Sequence, residues 1–252
     1  MEPNYYKEYY ILERNNWWFK ARSYIISKQI KKLNLPTNAQ ILNVGAATFK
    51  SSEMLNSYGK VTSAEYDKGC CDFVTKELGK EMVNCSATEM PFEDNSFDMV
   101  CAFDVIEHIE DHEIALKEMD RVLKIDGVMF ITVPAFQFLW SSHDDINHHF
   151  RRYTKGQLKD LFVKNIKKSS IVKLSYFNSI LFLPILLMRR ISSINKNKKP
   201  KKKKSDFKKF EFLSGLEKIF YWIFKSEAKL LSVINFPLGV SLMIISKNKI
   251  ND

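Results

Sequence analysis

Residues Ser86–Ala135, SATEMPFEDNSFDMVCAFDVIEHIEDHEIALKEMDRVLKIDGVMFITVPA, decide the fold, because they read as loop, strand, helix, turn and strand in succession. Phe97–Phe103 is a short apolar run, typical of a strand buried on both faces of a parallel sheet. Asp126–Gly127 is expected to end the helix, and Val128–Val133 to form the second strand, which stops at Pro134. The predicted helix has apolar residues at helical spacing: Ile109, Ala115, Leu116, Met119, Val122 and Leu123.

The right-handed crossover of such a β-α-β unit brings Asp104, Glu107 and His108 to the carboxyl end of its first strand. Ligands of open α/β sheets bind at that edge. At i, i+3 and i+4 these side chains would share one face of a helical turn, where they could orient a divalent cation or simply cap the helix and wall the cleft. Because a hard cation normally takes more oxygen ligands than this, we predict no metal.

The rest of the chain alternates strands with helices, which predicts a doubly wound α/β sheet. Two short helices are expected within residues 5–34, joined around Trp17-Trp18-Phe19. The other predicted strands are 40–44, 60–65, 82–85, 169–176 and 239–246, and the other predicted helices are one through Leu55, 70–79 and 154–163.

A turn of small residues, Gly45-Ala46-Ala47-Thr48-Phe49, follows the first strand and leads into a helix. This arrangement lets backbone N–H groups approach a ligand closely. Glu65 ends the next strand about twenty residues later, where an acid can accept both hydroxyls of a ribose. Arg22 follows the double Trp closely enough to reach an anionic ligand that the Trp pair covers, although such a pair is more often a packing anchor.

Several of these segments resemble, in order, the motifs of the class I S-adenosylmethionine-dependent methyltransferases of the type 11 group. They are ILNVGAATF, SAEYD, SATEMPFEDNSFDMVCAFDVIEHIED, RVLKIDG and ITVPA, and the likeness extends from Glu13 to Leu161. The resemblance implies a Rossmann-like, mostly parallel seven-stranded sheet whose last strand is antiparallel, with S-adenosylmethionine as cofactor. It implies that Gly45 and Ala46 hold the methionine end of the cofactor, Glu65 its ribose and Ser86-Ala87 its adenine, while Phe103 and Asp104 line the same cleft. Arg22, Ala47 and Tyr66 are our further candidates for cofactor binding.

Four positions depart from the family pattern. Asn43 stands where Asp is usual, Ala47 and Phe49 where Gly is usual, and Ser86 where an acid is common. A side chain at Phe49 makes a positive φ costly, and the methyl of Ala47 narrows the closest approach to the ligand. These departures keep open an alternative function: a non-catalytic methyltransferase-fold protein that serves as a binding or scaffold module at the membrane surface.

A loop rich in His, Asp and Arg follows Pro134, and loops carry function more often than core elements do. His143 or His149 in this loop, or His108, is a candidate general base, and Arg151 and Arg152 could hold an acidic substrate. The other reading is that His149 and Arg152 only tie the loop to the sheet by hydrogen bonds.

The net charge of +10 is unevenly distributed. Residues 161–252 carry 20 Lys and Arg against 5 Asp and Glu, whereas residues 1–160 carry 19 against 24. We therefore divide the chain into an N-terminal helical cap (1–36), a methyltransferase core (37–176 and 237–248) and an apolar, polybasic helical insertion (177–236). The apolar run in this insertion is shorter than the ~20 residues that a bilayer-spanning helix requires.

Apolar, aromatic and Lys-rich elements side by side in residues 177–224 favour an interfacial anchor on an anionic membrane over a plain helical cap. Nucleic acid is not expected as a partner, because the run KNKKPKKKK lacks interleaved aromatics. Four cysteines without a CxxC pattern, and an N-terminus without the apolar core of a secretory signal, predict a cytoplasmic protein, peripheral on the membrane. We predict O-methylation of a small or lipid-linked acceptor.

Overall fold

The computed structural model describes residues 3–166, 169–194 and 215–248. Its core is a sheet of seven strands in the order β3-β2-β1-β4-β5-β7-β6. The strands are β1 (Ala39–Val44), β2 (Gly59–Glu65), β3 (Val83–Asn84), β4 (Phe97–Phe103), β5 (Leu123–Pro134), β6 (Ser169–Phe177) and β7 (Ser241–Asn248). Strands β1 to β5 pair in parallel, and β7 runs antiparallel between β5 and β6. The predicted doubly wound, seven-stranded fold is confirmed.

Helices cover both faces of this sheet. They are α1 (Pro3–Asn15), α2 (Trp17–Ile30), α3 (Lys50–Leu55), α4 (Lys68–Leu78), α5 (His112–Val122), α6 (Ser142–Ile146), α7 (Lys155–Asn165), α8 (Phe182–Ile194) and α9 (Glu217–Leu230). Helices α5 and α7 close one hydrophobic core, and α2 and α9 close the other. Strands β4 and β5 are buried between the two cores, which explains their near-continuous apolar sequence.

The prediction that Asp126–Gly127 ends the helix was wrong. Helix α5 already ends at Val122, and β5 begins at the next residue. Leu123 pairs with Phe97, and the pairing of β4 with β5 then shifts register before it resumes at Val128. Asp126 takes a positive φ of 62° within this irregular stretch, so the Asp-Gly pair marks an interruption of a strand rather than a helix end.

Part of the predicted insertion packs on the core. The rings of Trp17 and Phe220 lie 5.5 Å apart, and those of Trp18 and Phe224 lie 6.4 Å apart. Helix α9 therefore serves as a cap over α2, as the cap interpretation expected of this region. The run KNKKPKKKK lies outside the described residues, and the division of the chain into cap, core and insertion stays a prediction.

None of the helices in the described ranges combines the length and the apolar character that crossing a bilayer requires.

Candidate functional site

A cavity of about 900 Å³ opens at the carboxyl ends of the central parallel strands. All thirteen residues that the sequence proposed for cofactor binding or catalysis line it: Arg22, Gly45, Ala46, Ala47, Glu65, Tyr66, Ser86, Ala87, Phe103, Asp104, His108, His143 and His149. The topology explains this convergence, because the residues follow β1, β2, β3, β4 and β5 at one edge of the sheet or project onto that edge from α2. Their roles toward a ligand stay predictions.

The turn after β1 requires glycine at its first position. Gly45 has a φ of +67°, and a Cβ placed on it would lie 2.5 Å from Cγ2 of Val105. The N–H groups of Gly45 and Ala46 both donate to the carbonyl of Ala64 in β2, at 2.8 and 3.1 Å. The turn is thus fixed against the sheet with its backbone exposed to the cavity.

Ala47 and Phe49 keep the conformation that glycine favours, with φ values of 45° and 73°. A left-handed backbone costs each of them on the order of 1–2 kcal/mol. Phe49 is buried, but it is not among the residues that line the cavity. The ring of Phe49 therefore leaves the ligand space open, and of these two residues only Ala47 lines the cavity.

Asn43, which replaces the usual acid, also lies outside the cavity wall. Its amide nitrogen donates to the hydroxyls of Ser51 and Ser52, each at 2.8 Å, within a buried polar network beneath the turn. Ser52 in turn shares a hydrogen bond of 2.7 Å with Ser63. An amide suits this network because it can donate to neighbouring hydroxyls, which a carboxylate cannot do.

Glu65 is held with its carboxylate at the cavity wall. One oxygen, Oε2, accepts the N–H of Ala47 at 2.9 Å, and the other, Oε1, accepts the N–H of Asp67 at 2.9 Å. Each carboxylate oxygen can accept a further hydrogen bond, so the group stays available to a diol. Beside it, Tyr66 is 77% exposed at the rim, and Ser86 bonds Thr88 at 2.7 Å.

Arg22 reaches from α2 to the end of β4. Its guanidinium lies 2.8 Å from the carboxylate of Asp104 and donates to Oγ1 of Thr132 at 2.7 Å. Thr132 donates to the other carboxylate oxygen of Asp104 at 3.0 Å. The ion pair fixes Asp104, which has a φ of 59°, and satisfies much of the charge of Arg22 within the protein.

The expectation that Asp104, Glu107 and His108 share one face of a helical turn was wrong. Ile106–His108 is a short 3-10 turn, and Asp104 precedes it in a left-handed conformation, engaged by Arg22. Glu107 and His108 instead meet His149, which comes from the loop after β5. One ligand atom from each of Glu107, His108 and His149 lies within 4.8 Å of the other two.

Asp144, fully buried in α6, organises that loop. It accepts Nε of Arg152 at 2.8 Å, Nδ1 of His149 at 2.9 Å and the N–H of Ser141 at 2.8 Å. Burial alone would raise the pKa of Asp144, but the hydrogen bonds from His149 and Arg152 hold it well below its ordinary value. Asp144 is therefore ionised at neutral pH and fixes the orientation of the His149 ring.

The two arginines of the loop are engaged in different ways. Arg152 is buried against Asp144 and also donates to the carbonyl of Ala135 at 3.1 Å. Arg151 donates to the carbonyls of Ile109 and Glu110, each at 3.0 Å. Arg152 thus ties the loop to the end of β5, as the second interpretation expected of it, and a role of Arg151 toward an acidic substrate stays a prediction.

Two titratable groups beside His149 are displaced from their ordinary behaviour. Burial, followed by the charge of Asp104, raises the pKa of Glu107 well above that of a free carboxyl. Desolvation, followed by the charge of the neighbouring His149, lowers the pKa of His108, even though part of this residue stays exposed at the cavity. The rings of His108 and His149 meet edge to face with centroids 4.4 Å apart, so two imidazoles and one carboxyl converge here.

The sequence interpretation missed Glu13, which lines the cavity from α1. The hydroxyl of Thr48 in the β1 turn donates to its carboxyl group, and burial raises its pKa to about 7. The resemblance begins at Glu13, which was the one available signal. Residues of α8 were missed too: Pro184, Ile185 and Met188 form an apolar part of the wall.

The residues present fit a sulfonium nucleoside. The cavity has the size of a small-molecule site, and the cradle at Gly45 lets backbone approach the ligand where a Cβ would not fit. Glu65 presents a fixed carboxylate, and Glu13 a second acidic group near the turn. The Glu65 carboxylate suits the diol of such a ligand, and Glu13, which a nearby positive charge would help to ionise, suits its sulfonium.

Comparisons with known proteins agree with this geometry. Residues 42–131 match the model of a methyltransferase domain family, Methyltransf_11. Demethylmenaquinone methyltransferase of Staphylococcus aureus (strain MRSA252) is 33% identical over 112 residues, 38% of this chain and 44% of that protein. The enzyme of the same name from Staphylococcus haemolyticus (strain JCSC1435) is 32% identical over 123 residues, 43% and 51% of the two chains. The chain thus spans about half the length of these curated relatives.

Solved structures share the fold over nearly the whole chain. A possible histamine N-methyltransferase of Thermotoga maritima superposes with a TM-score of 0.56 at 18% identity, covering 98% of this chain and 96% of that one. A putative methyltransferase of Bacillus halodurans gives 0.56 at 15% identity, covering 88% and 99%. At such identities the likeness extends to the fold alone. The chain therefore has the fold of the class I methyltransferases, and its residues 42–131 form a methyltransferase domain of the type 11 group.

Proposed function

We propose that this methyltransferase modifies a small or lipid-linked acceptor, at an oxygen of a ring hydroxyl. The observation that carries the proposal is a single cavity lined both by Glu65 and by His149, whose ring is held by the buried Asp144. Glu65 ends β2 and His149 lies in the loop after β5, and these two strands are three positions apart in the sheet, about 14 Å between their axes. That span accommodates a nucleoside with an acceptor beyond it.

S-adenosylmethionine, when bound, supplies the electrophilic methyl group, and the protein's part is alignment. Glu65 would accept the ribose hydroxyls, and the turn at Gly45 would hold the methionine end. Arg22 keeps the Asp104 carboxylate in place at the centre of the cavity. Because the charges of Arg22 and Asp104 neutralise each other, this pair would help to position the cofactor without attracting a charged acceptor.

His149 is the best placed of the three histidines to receive the acceptor's proton. Its Nδ1 is engaged by Asp144, which leaves the lone pair of Nε2 for the hydroxyl. The ring of His143 is hydrogen-bonded to Asn147. The pKa of His108 is lowered, which makes it the weaker base. Oriented general bases contribute on the order of 10²- to 10⁴-fold to rate.

A second acceptor chemistry, methylation of a ring carbon, is favoured by the names of the relatives. Two of the similar proteins are demethylmenaquinone methyltransferases, and the methyltransferase family model matches residues 42–131, which include the turn at Gly45 and Glu65. A quinol-type acceptor also presents a ring hydroxyl whose deprotonation activates the ring, so the Asp144–His149 pair would serve either reaction.

Methyl transfer is tested with S-adenosylmethionine labelled with ¹³C in its methyl group, offered with catechol and naphthoquinol acceptors, with and without an isoprenoid tail. We expect a labelled product, and its ¹³C chemical shift distinguishes a methoxy from a ring methyl. His149→Gln should lower the rate about 100-fold or more with unchanged cofactor affinity. The matched control is His112→Gln on α5, which lies outside the cavity wall and should behave as wild type.

Absence of transfer to every acceptor, together with absence of cofactor binding, would favour the non-catalytic alternative instead. The structure gives that alternative little support at the positions that suggested it. Phe49 lies off the cavity, and Ala47 keeps its N–H directed to Glu65.

A lipid-linked acceptor is supported by the apolar surface around α8. Pro184 and Met188 line the cavity, while Leu183 and Leu187 on the same helix are 65% and 61% exposed. Large exposed apolar side chains of this kind mark interaction surfaces. With the Lys-rich sequence that follows α8, the occupant we propose is an anionic membrane surface.

Flotation with vesicles of phosphatidylcholine, with or without phosphatidylglycerol, tests this attachment. Wild type should float with the anionic vesicles and lose this behaviour at high salt. The double variant Leu183→Ser/Leu187→Ser should not float. Val163→Ser, which removes an apolar side chain of similar exposure, 61%, from α7, is the matched control and should float normally. Flotation that ignores lipid charge and salt would contradict the electrostatic argument.

A further inference from the structure

We propose that Glu107, His108 and His149 bind a divalent first-row transition ion of the zinc type, on the acceptor side of the cavity. The three side chains offer one carboxylate oxygen and two imidazole nitrogens, all within 4.8 Å of one another. Zinc sites with two histidines and one glutamate use this donor set and leave a position open to water or substrate. This departs from the expectation, drawn from the sequence, that no metal binds.

The orphaned carboxyl of Glu107 is the strongest independent observation. Glu107 has no exposed surface, and neither of its side-chain oxygens has a hydrogen-bond partner on another residue. Arg22 and Arg152, whose charges act on Glu107, are paired with Asp104 and Asp144 instead. Buried polar atoms are nearly always satisfied, and one left without a partner often marks the place of an ion.

His149 is oriented as a metal-binding histidine would be. Metal-ligating imidazoles usually donate their other N–H to a carboxylate, which fixes the ring and makes the ligating nitrogen more basic. Asp144 accepts Nδ1–H of His149 at 2.9 Å, which leaves Nε2 for the ion. Asp144 is itself fixed by two bonds from Arg152, at 2.8 and 3.0 Å.

His108 provides the way in from solvent. His108 is exposed and lines the cavity, whereas the adjacent Glu107 is fully buried. A hydrated ion can therefore enter through the cavity and exchange waters for the three ligands in turn. The two imidazoles favour zinc, copper, nickel or iron over magnesium and calcium, which prefer all-oxygen sites.

Asp104 is not a ligand in this assignment. Both of its oxygens are engaged, one by Arg22 at 2.8 Å and one by Thr132 at 3.0 Å. The role of the ion in catalysis rests on the proposed function: an acceptor hydroxyl bound in the open position would lose its proton more readily, and solvent water in the cavity rather than His149 would accept that proton. When the ion is bound, the lone pair of Nε2 on His149 coordinates it, so His149 does not act as the general base.

Binding of the ion is tested on the full chain in the absence of cofactor and acceptor, so its failure is distinct from failure of methyl transfer. Zn²⁺ is titrated by calorimetry into metal-free protein, and Co²⁺ serves as a spectroscopic probe through its visible d–d bands. We expect one ion per chain and cobalt bands typical of a mixed nitrogen and oxygen ligand set.

Glu107→Gln and His149→Gln should each weaken zinc binding about 100-fold or more, and Asp144→Asn about 10- to 100-fold. Glu107→Gln preserves the size of the buried side chain, so it keeps the protein folded, as thermal unfolding would verify. His112→Gln, which lies outside the cavity wall, is the control and should bind zinc as wild type does. Equal zinc affinity in wild type, Glu107→Gln and His149→Gln, or no binding by wild type, would overturn the assignment.

Discussion

The contact between Gly45 and Val105 makes a quantitative prediction about the turn that builds the cofactor cradle. A Cβ on Gly45 would lie 2.5 and 3.0 Å from the two methyl carbons of Val105, at a backbone φ of +67°. The left-handed backbone costs an alanine about 1–2 kcal/mol. The overlap with Val105 adds about 1–3 kcal/mol. Gly45→Ala should therefore lower the free energy of unfolding by about 2–5 kcal/mol.

Two further variants separate these contributions by urea unfolding. Gly79→Ala has almost the same backbone strain, a φ of +60°, but nothing lies within 4 Å of its Cβ. It should lose only the backbone part, about 1–2 kcal/mol. Val105→Ala removes the two clashing methyl groups, so the double variant Gly45→Ala/Val105→Ala should be more stable than the sum of the single effects by about 1–3 kcal/mol.

The reasoning fails if the effects of Gly45→Ala and Val105→Ala simply add to within about 0.5 kcal/mol. It also fails if Gly45→Ala costs no more than Gly79→Ala. Either result would mean that the turn moves away from Val105 freely, and that the cradle is not the rigid feature described above.

Two more predictions concern buried charges near the cavity. Asp144→Ala should destabilise the fold by about 3–5 kcal/mol in urea unfolding, because Arg152 would stay buried without its partner; a loss below about 1 kcal/mol would contradict the buried pair. Glu13 has a folded pKa of about 7 against an ordinary 4.5, so the folded state binds the extra proton and stability falls as pH rises through that window. Glu13→Gln should therefore be more stable than wild type by about 1–2 kcal/mol at pH 8.5, an advantage that disappears near pH 4.5, as thermal unfolding across pH will measure.

Sequence pattern was sufficient for the sheet because parallel strands leave two strong signals. Phe97–Phe103 and Val128–Val133 are apolar on both faces, and the turn at Gly45 needs a residue without a side chain. It was insufficient for the junction of α5 with β5. There a helix passes directly into a strand, and Asp126–Gly127, normally a terminator, occupies a strand irregularity that only pairing with β4 explains.

The cavity wall was predictable where motifs end strands and was missed where helices fold over it. Glu65 and Asp104 follow strands of known order, so topology alone brings them together. Glu13 and Met188 lie on α1 and α8, whose docking depends on packing contacts far away in the chain. Glu107 and His149 come together because of the path of the loop after β5. Asp144 fixes that path through tertiary contacts that the spacing of residues in the sequence does not predict.

The most direct test of the central claim is calorimetry of the cofactor with wild type and Glu65→Ala. Wild type should bind S-adenosylmethionine and S-adenosylhomocysteine, and Glu65→Ala should lose about 10- to 100-fold in affinity, since a carboxylate's hydrogen bonds to a diol contribute about 1.5–3 kcal/mol. Asp72→Asn, an exposed carboxylate on α4, should leave both affinities unchanged. No heat with wild type at high ligand concentration, or equal affinity of Glu65→Ala, would contradict the account.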